Sequence, residues 1–147
     1  MAQTLHRIMV HVVFSTKDRA PLLKEPIRPK LFAYLGGVVR SLGGEPLIVN
    51  GVADHVHMLL TLPSTMTLAD AMRRIKAKSS RWMRQGARGF AWQAGYAAFR
   101  VSQSNVARVR KYIADQGAHH ERVEFKDEFL SLLRRHELEY EERFLWR

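Results

Sequence analysis

The sequence predicts an α+β fold: a ferredoxin-like (RRM-like) antiparallel four-stranded sheet with helices on one face and further helices after the last strand. Two observations carry this. Segments with apolar periods of two and of 3.6 residues follow one another in the order strand, helix, strand, strand, helix, strand, and two helices come after them. The chain has 147 residues, no internal repeat and no low-complexity linker, so residues 1–147 are read as one domain around one core.

The first strand runs from Arg7 to Ser15, RIMVHVVFS, with Ile8, Val10, Val12 and Phe14 on one face and Met9, His11 and Val13 on the other. KDRAPLLKEPIRPK carries three prolines and several charges, which marks a loop entering a helix with Pro29 in its first turn. Ile27, Leu31, Leu35, Val38 and Leu42 then recur at helical spacing until Gly43-Gly44 ends the element. Gly36-Gly37 costs helix propensity and predicts a tight crossing or a bend. In EPLIVNGVADHVHMLLTLP two short strands flank a turn. Asn50-Gly51 is one candidate for its tip; Ala53-Asp54, which matches the strand lengths better, is the other. Thr67 is placed to cap TLADAMRRIKAKSSRWMRQ, a helix whose apolar line is Leu68, Met72, Ile75, Ser79 and Trp82. A glycine-rich loop, GARGFAWQAGY, leads to the strand AAFRVS. Ser104 or Asn105 then caps a helix through Arg108, Tyr112 and Gln116, and a last helix runs from about Phe125 to His136.

Twenty-four Lys and Arg against 14 Asp and Glu give a formal net charge of +10, which points to a polyanion, nucleic acid first. Charge kept only for solubility is the bland alternative. A membrane surface would call for a basic amphipathic helix with a bulky apolar face, and no stretch approaches the roughly 20 apolar residues of a bilayer span, so no membrane partner is expected. The opening MAQTLHRIMVHVVF lacks the pattern of a secretory signal, and a cytoplasmic location is expected. The absence of cysteine excludes disulfides and thiolate metal sites.

The segment DHVHMLL raises the chemical question, because it sets two imidazoles inside an apolar strand. Alternation places His55 and His57 on one face roughly 6.5–7 Å apart, close enough to converge on one metal ion. Two satisfied histidines at a sheet edge are the alternative. Asp54 reads as a turn residue, or as a carboxylate supporting a liganding imidazole. A third ligand is sought in NVARVRKYIADQGAHH. There Arg108, Tyr112 and Gln116 form one helical stripe, and Val106, Val109 and Ile113 form an apolar stripe that packs on the sheet. Arg73, Arg74, Lys76, Lys78, Arg81 and Arg84 surround the apolar line of the second long helix, offset there only by Asp70, and Lys17 and Arg19 follow the first strand. This favours phosphate contact over a merely solvated face. Trp82, Phe90, Trp92 and Tyr96 lie in or near the adjoining loop, where they either stack on unpaired bases or fill the core.

Taken together, these residues resemble the single-tyrosine transposases of the HUH superfamily: the insertion-sequence 200/605 type and the REP-associated tyrosine transposases. The resemblance runs over nearly the whole chain, through HVVFSTKDR, DHVHMLL, IKAKSSRWM, YIADQGAHH and EFKDEFLSLLRRHELEYEERFLW. It implies a DNA transposase that nicks and rejoins single-stranded DNA at hairpin-flanked element ends. By this resemblance Tyr112 is the nucleophile that forms a 5′-phosphotyrosine, and His55, His57 and Gln116 are the metal ligands. Two ring nitrogens, an amide oxygen and open positions suit Mg²⁺ or Mn²⁺. Arg108, one turn from Tyr112, is a candidate to activate the phenol. DNA hairpins would be held by the basic helix and its loop. The resemblance also implies a homodimer in which each active site joins the histidines of one subunit to the tyrosine helix of the other. His119 and His120 match a pair common in the family, with structural and rival-ligand roles both open.

Two other readings compete. One is a noncatalytic single-stranded nucleic-acid-binding module on the same fold, which lacks the aromatic residues expected on the central strands and leaves His55 and His57 without a role. The other is a metal-dependent phosphodiesterase that uses water, with Tyr112 structural.

Overall fold

A computed structural model describes residues 2–147. Strands β1 (Met9–Ser15), β2 (Glu45–Gly51), β3 (His55–Thr61) and β4 (Ala97–Val101) form one antiparallel sheet in the order β2-β3-β1-β4. The helices are α1 (Arg28–Ser41), α2 (Leu68–Arg84), α3 (Val106–Ala114), α4 (Gln116–His120), α5 (Phe125–Arg135) and α6 (Glu142–Leu145). β1 starts at Met9, two residues later than the alternation suggested, because both neighbouring strands stop there: Met9 pairs with Thr61 of β3 and with Val101 of β4. Ile8, beyond the ladder, is 58% exposed.

Strand alternation sorts the core onto the two faces of the sheet. Val12, Phe14, Val56, Met58 and Leu60 pack with Leu31, Leu35 and Val39 of α1 and with Met72 and Ile75 of α2. Met9, Val13, Leu59, Phe99 and Val101 point the other way, where Ile113 of α3 and Phe125, Phe129 and Leu132 of α5 cover them. The helices after β4 therefore cover the second face of the sheet, the face that carries His55 and His57. No helix among the described residues is long and apolar enough to cross a membrane.

The β2–β3 turn falls at residues 52–54, around Ala53-Asp54, the second of the two alternatives, and leaves Asn50 and Gly51 inside β2. Each has a positional reason to be there. A Cβ on Gly51 would stand 2.3 Å from the carbonyl oxygen of His55, so only glycine permits this close approach at the start of β3. The Asn50 amide donates to the carbonyls of Ile113 (2.9 Å) and Ala114 (3.1 Å), the last two residues of α3. With those acceptors taken from outside, the single helix expected through Gln116 breaks at Asp115 (φ −90°, ψ 16°) and restarts as α4.

Thr67 caps α2 as expected, its hydroxyl accepting from the Asp70 amide at 3.1 Å. Neither Ser104 nor Asn105 caps α3 through its side chain; a 3₁₀ turn at Gln103–Asn105 leads into the helix instead. Neither glycine of α1 marks the expected tight crossing: a Cβ on Gly36 would meet the Pro46 ring of β2 at an ordinary 3.6 Å, and Gly37 faces open space. Phe90 and Trp92 are core residues: Trp92 meets Phe14 edge-on at 4.8 Å and its indole N–H donates to Ser79. Trp82 is half-buried, stacked on Tyr34. Trp146, just past α6, packs on Phe125 and Phe129 and holds the N-terminal half of α5 against the sheet.

Candidate active site

His55 and His57 enter the second face from the middle of the sheet, and both are completely buried. The Phe125 ring, at the start of α5, stacks on His55 at 3.8 Å. On its outer side the His55 Nδ1–H donates to Asp54 Oδ1 at 2.8 Å, the supporting contact anticipated for that carboxylate. His57 Nδ1 lies 2.8 Å from Nε2 of His11, a buried β1 residue on the same face that fixes the plane of the His57 ring. The other nitrogens, Nε2 of both rings, face inward.

The helices supply the remaining walls. Tyr112 comes from α3, Gln116 and His120 from α4, and Glu128 from α5. Glu128 is the centre of the cluster. Its carboxylate accepts from the Tyr112 hydroxyl and from Gln116 Nε2 (3.2 Å), and its Oε1 lies 3.0 Å from His57 Nε2, 3.1 Å from His120 Nε2 and 3.3 Å from His55 Nε2. Nε2 of His119 reaches the other oxygen at 3.0 Å without hydrogen-bond geometry. Glu128 is absent from the residues singled out in the sequence, yet a signal exists. It sits in the buried stripe of Phe125, Phe129, Leu132 and Leu133, where a carboxylate requires a partner.

The polarity of the cluster tests whether a cation belongs in it. His120 Nδ1–H donates to the Val123 carbonyl at 2.7 Å, and His55 Nδ1–H donates to Asp54, so in the neutral rings both Nε2 atoms are bare lone pairs. They face Glu128 Oε1 and Gln116 Oε1, the latter 3.2 Å from His55 Nε2 and 2.9 Å from His120 Nε2. Acceptors turned toward one another in a buried space are unfavourable unless protons or a cation lie between them. Ligand atoms of His55, His57, His120 and Glu128 all lie within 4.8 Å of one another, a spacing that coordination bonds of roughly 2.0–2.6 Å can span. The residues fit a divalent cation, and they add His120 and Glu128 to the expected set of His55, His57 and Gln116.

Electrostatics divides the cluster. Burial pulls His57 down to about 4, despite Glu128, and burial together with His57 pulls His11 down to about 3. Burial also opposes charge on His55, but the hydrogen bonds of Asp54 and Glu128 outweigh it and raise its pKa. Burial would raise Glu128; its close contacts with His120, His55 and His57 instead hold it far below the usual carboxylate range. Burial, and then the bond to Glu128, push the Tyr112 phenol well above its ordinary value. The two depressed histidines set a pH dependence. The unfolded chain takes up protons below about pH 6.5 that the folded chain refuses until about pH 4 at His57, so folding stability falls as pH drops through this window. His55 acts in the opposite sense, its contribution full below about 6.5 and lost as pH rises through its raised value. Between pH 5 and pH 7 the two depressed rings act over most of the window whereas His55 acts only above about 6.5, so urea unfolding of the metal-free chain is expected to show a lower midpoint at pH 5 than at pH 7.

The basic residues of α2 do not gather at this cluster. α2 lies on the opposite face of the sheet. Arg73, Arg74, Lys78 and Arg81 are exposed there, Arg73 within 3.7 Å of Asp70. Lys76 is engaged internally, its ammonium donating to the carbonyls of Gln93 (2.5 Å), Ala94 (3.1 Å) and Gly95 (2.7 Å), with its pKa drawn down to about 8 by burial. Arg84 is tied to the Phe90 carbonyl. Lys17 is exposed after β1, and Arg19 lines, with Asp54 and His120, a cavity of about 630 Å³ beside the histidines. Arg108 stands one turn before Tyr112 on α3. The tyrosine and the histidines meet within one chain, the rings of Tyr112 and His57 being 5.7 Å apart.

Comparison with known proteins places this geometry in context. The family profile described as "Transposase IS200 like" matches residues 4–116. The chain is 24% identical over 120 residues to the ISDra2 transposase TnpA of Deinococcus radiodurans, covering 76% of this chain and 86% of that protein. Its fold matches the crystal structure of a protein from Deinococcus radiodurans R1, with a TM-score of 0.64 and 22% identity over 79% of this chain and 95% of the other. It also matches the structure of a REP-associated tyrosine transposase bound to a REP hairpin, with a TM-score of 0.60 and 18% identity over 84% of this chain and 76% of the other.

Proposed function

The chain belongs to the IS200-like transposase family, and we propose that it nicks and rejoins single-stranded DNA at hairpin-flanked ends through a 5′-phosphotyrosine on Tyr112. The observation that carries this reading is the convergence of the Tyr112 hydroxyl with His55, His57, Gln116 and Glu128 in one buried cluster. Nε2 of His55, His57 and His120, Oε1 of Glu128 and Oε1 of Gln116 would hold the cation. Three imidazoles and a carboxylate shift the preference within the expected pair away from Mg²⁺ and toward Mn²⁺. When bound, a divalent cation supplies positive charge to the scissile phosphate and to the phenol oxygen.

The chain's own groups do the rest. Glu128 orients the Tyr112 hydroxyl, and the same contact keeps it protonated until cationic charge offsets the carboxylate. Arg135 already acts on the phenol in that direction. Attack by the Tyr112 oxygen forms a tyrosyl O–P bond and breaks the P–O3′ bond, leaving a free 3′-OH and a 5′-phosphate on the enzyme. Because the linkage conserves the phosphodiester, another 3′-OH can attack it, release the phenol and seal a new junction.

The exposed cations Arg73, Arg74, Lys78 and Arg81, with Lys17, suit hairpin phosphates. A neighbour in fold is described as bound to a REP hairpin, which supports the same class of ligand here. The noncatalytic reading loses ground because α3 and α5 cover the sheet face that an RRM-like module would offer to bases. We place the reaction in one chain, so that a homodimer would carry two complete sites instead of shared ones.

The test uses labelled single-stranded hairpins taken from imperfect palindromes near the gene, with Mn²⁺. A denaturation-resistant adduct supports the reading; cleavage without adduct indicates the hydrolase, and binding alone indicates the module. Mixing His57→Ala and Tyr112→Phe chains, each inactive, is expected to restore no adduct. Restored adduct would show that the site is shared between subunits.

A further inference from the structure

Two cavities flank Tyr112, and neither is lined by His55, His57, Gln116, His120 or Glu128. The first, about 250 Å³, lies between α3 and the C-terminal end of α5, where Arg100, Arg108 and Arg135 surround a floor that includes Phe99 and His11. His136 stacks on Phe99 at 4.1 Å and extends this aromatic floor. The second, about 440 Å³, lies on the outer side of α3 and α4, lined by Arg108, Lys111 and Arg122 against the single carboxylate of Asp115. Arg108 and Tyr112 line both, so the phenol stands on the ridge between them.

We propose that the single strand on the two sides of the cleaved phosphate runs across α3 through these two cavities, and not along the basic face of α2. The inference rests on the transposase reading and deepens it by assigning the strand path. The physical grounds are threefold. Among the described residues no carboxylate lines the first cavity, so its three guanidiniums are available to phosphate oxygens. Its volume falls below the roughly 300–1,000 Å³ of drug-sized pockets, which suits one nucleobase and not two. Guanidinium planes and aromatic rings around one small space are the combination that holds an unpaired base and its phosphate. The basic face of α2 is separated from Tyr112 by the sheet, whereas Arg100, Arg108, Arg135, Lys111 and Arg122 all border the cavities that Tyr112 shares. The larger, more open second cavity takes the adjoining phosphates, and the first takes the base.

Fluorescence anisotropy separates this path from the alternative. An unstructured twelve-nucleotide oligo-dT and a hairpin without single-stranded tails are titrated in EDTA, so that no cleavage competes. The variants are Arg100→Ala/Arg135→Ala and Arg74→Ala/Lys78→Ala/Arg81→Ala, each checked for folding by its melting temperature. In the first variant the ratio of oligo-dT to hairpin affinity is expected to fall about tenfold. Its salt dependence should flatten by about 0.7 in log K against log salt for each phosphate that is no longer neutralised, and Arg135→Lys should restore part of the slope. In the α2 variant the ratio should rise. The reverse pattern, with oligo-dT binding abolished by the α2 changes and retained without Arg100 and Arg135, would overturn the proposal. Failure of the transposase reading itself appears elsewhere, as the absence of any covalent adduct in the wild-type chain. An adduct that forms while the ratios stay equal sinks only the strand path.

Discussion

Tyr112→Phe is expected to yield no covalent DNA adduct and to lower strand cleavage by about a thousandfold or more, while hairpin binding persists. The ring remains to pack between His11, His57 and His119; only the hydroxyl disappears. Glu128 loses one charge-assisted hydrogen bond and keeps Gln116 on the same oxygen, so the metal-free fold should lose about 1–3 kcal/mol. A gel-shift titration beside a denaturing gel reads the two properties separately. Unaltered cleavage in this variant would assign the nucleophile to water and leave Tyr112 a structural role.

Glu128→Gln is expected to have the second largest effect, on metal binding and on stability together. The carboxylate is the anion shared by three imidazole nitrogens and the phenol, and its side chain is 2% exposed. A carboxamide of the same shape fills the space but cannot neutralise a cation. Mn²⁺ affinity should fall by about tenfold to a hundredfold, measured by calorimetry without DNA. Removing one member of a buried charged network typically costs about 3–5 kcal/mol, so the metal-free variant should unfold at markedly lower urea concentration. Excess Mn²⁺ should return part of that stability, because the imidazoles still favour the folded state when liganded. Mn²⁺ affinity equal to the wild type would remove Glu128 from the ligand set.

Much of the scaffold was legible because it follows from local periodicity. Alternation alone put His55 and His57 on one face, and the Val106, Val109 and Ile113 stripe docked α3 on that face. The broken tyrosine helix was not legible, because the group that stops it is Asn50, 63 residues from the carbonyl of Ile113 that it binds. The same residue made Asn50-Gly51 look like a turn, when its amide serves the far helix. Glu128 was hidden by its neighbours: within an apolar stripe it resembles an ordinary interruption, and only the packing of α5 over β3 shows that it meets three histidines. The cations of α2 were legible as a helix face, but not their place across the sheet from His55 and His57, since neither composition nor spacing says which side of a sheet a helix covers. The union of histidines and tyrosine within one chain is likewise a property of the path from β4 into α3, beyond the reach of any motif.

The most direct test of the central claim is peptide mass mapping after reaction with a labelled hairpin and Mn²⁺. Trypsin cuts after Lys111 and Arg122, releasing residues 112–122, a peptide whose only tyrosine is Tyr112. The expected result is a 5′-phosphorylated nucleotide mass on that peptide, present with Mn²⁺ and absent with EDTA or in His57→Ala. Nucleotide mass on a different tyrosine, or nicked DNA with this peptide unmodified, would contradict it.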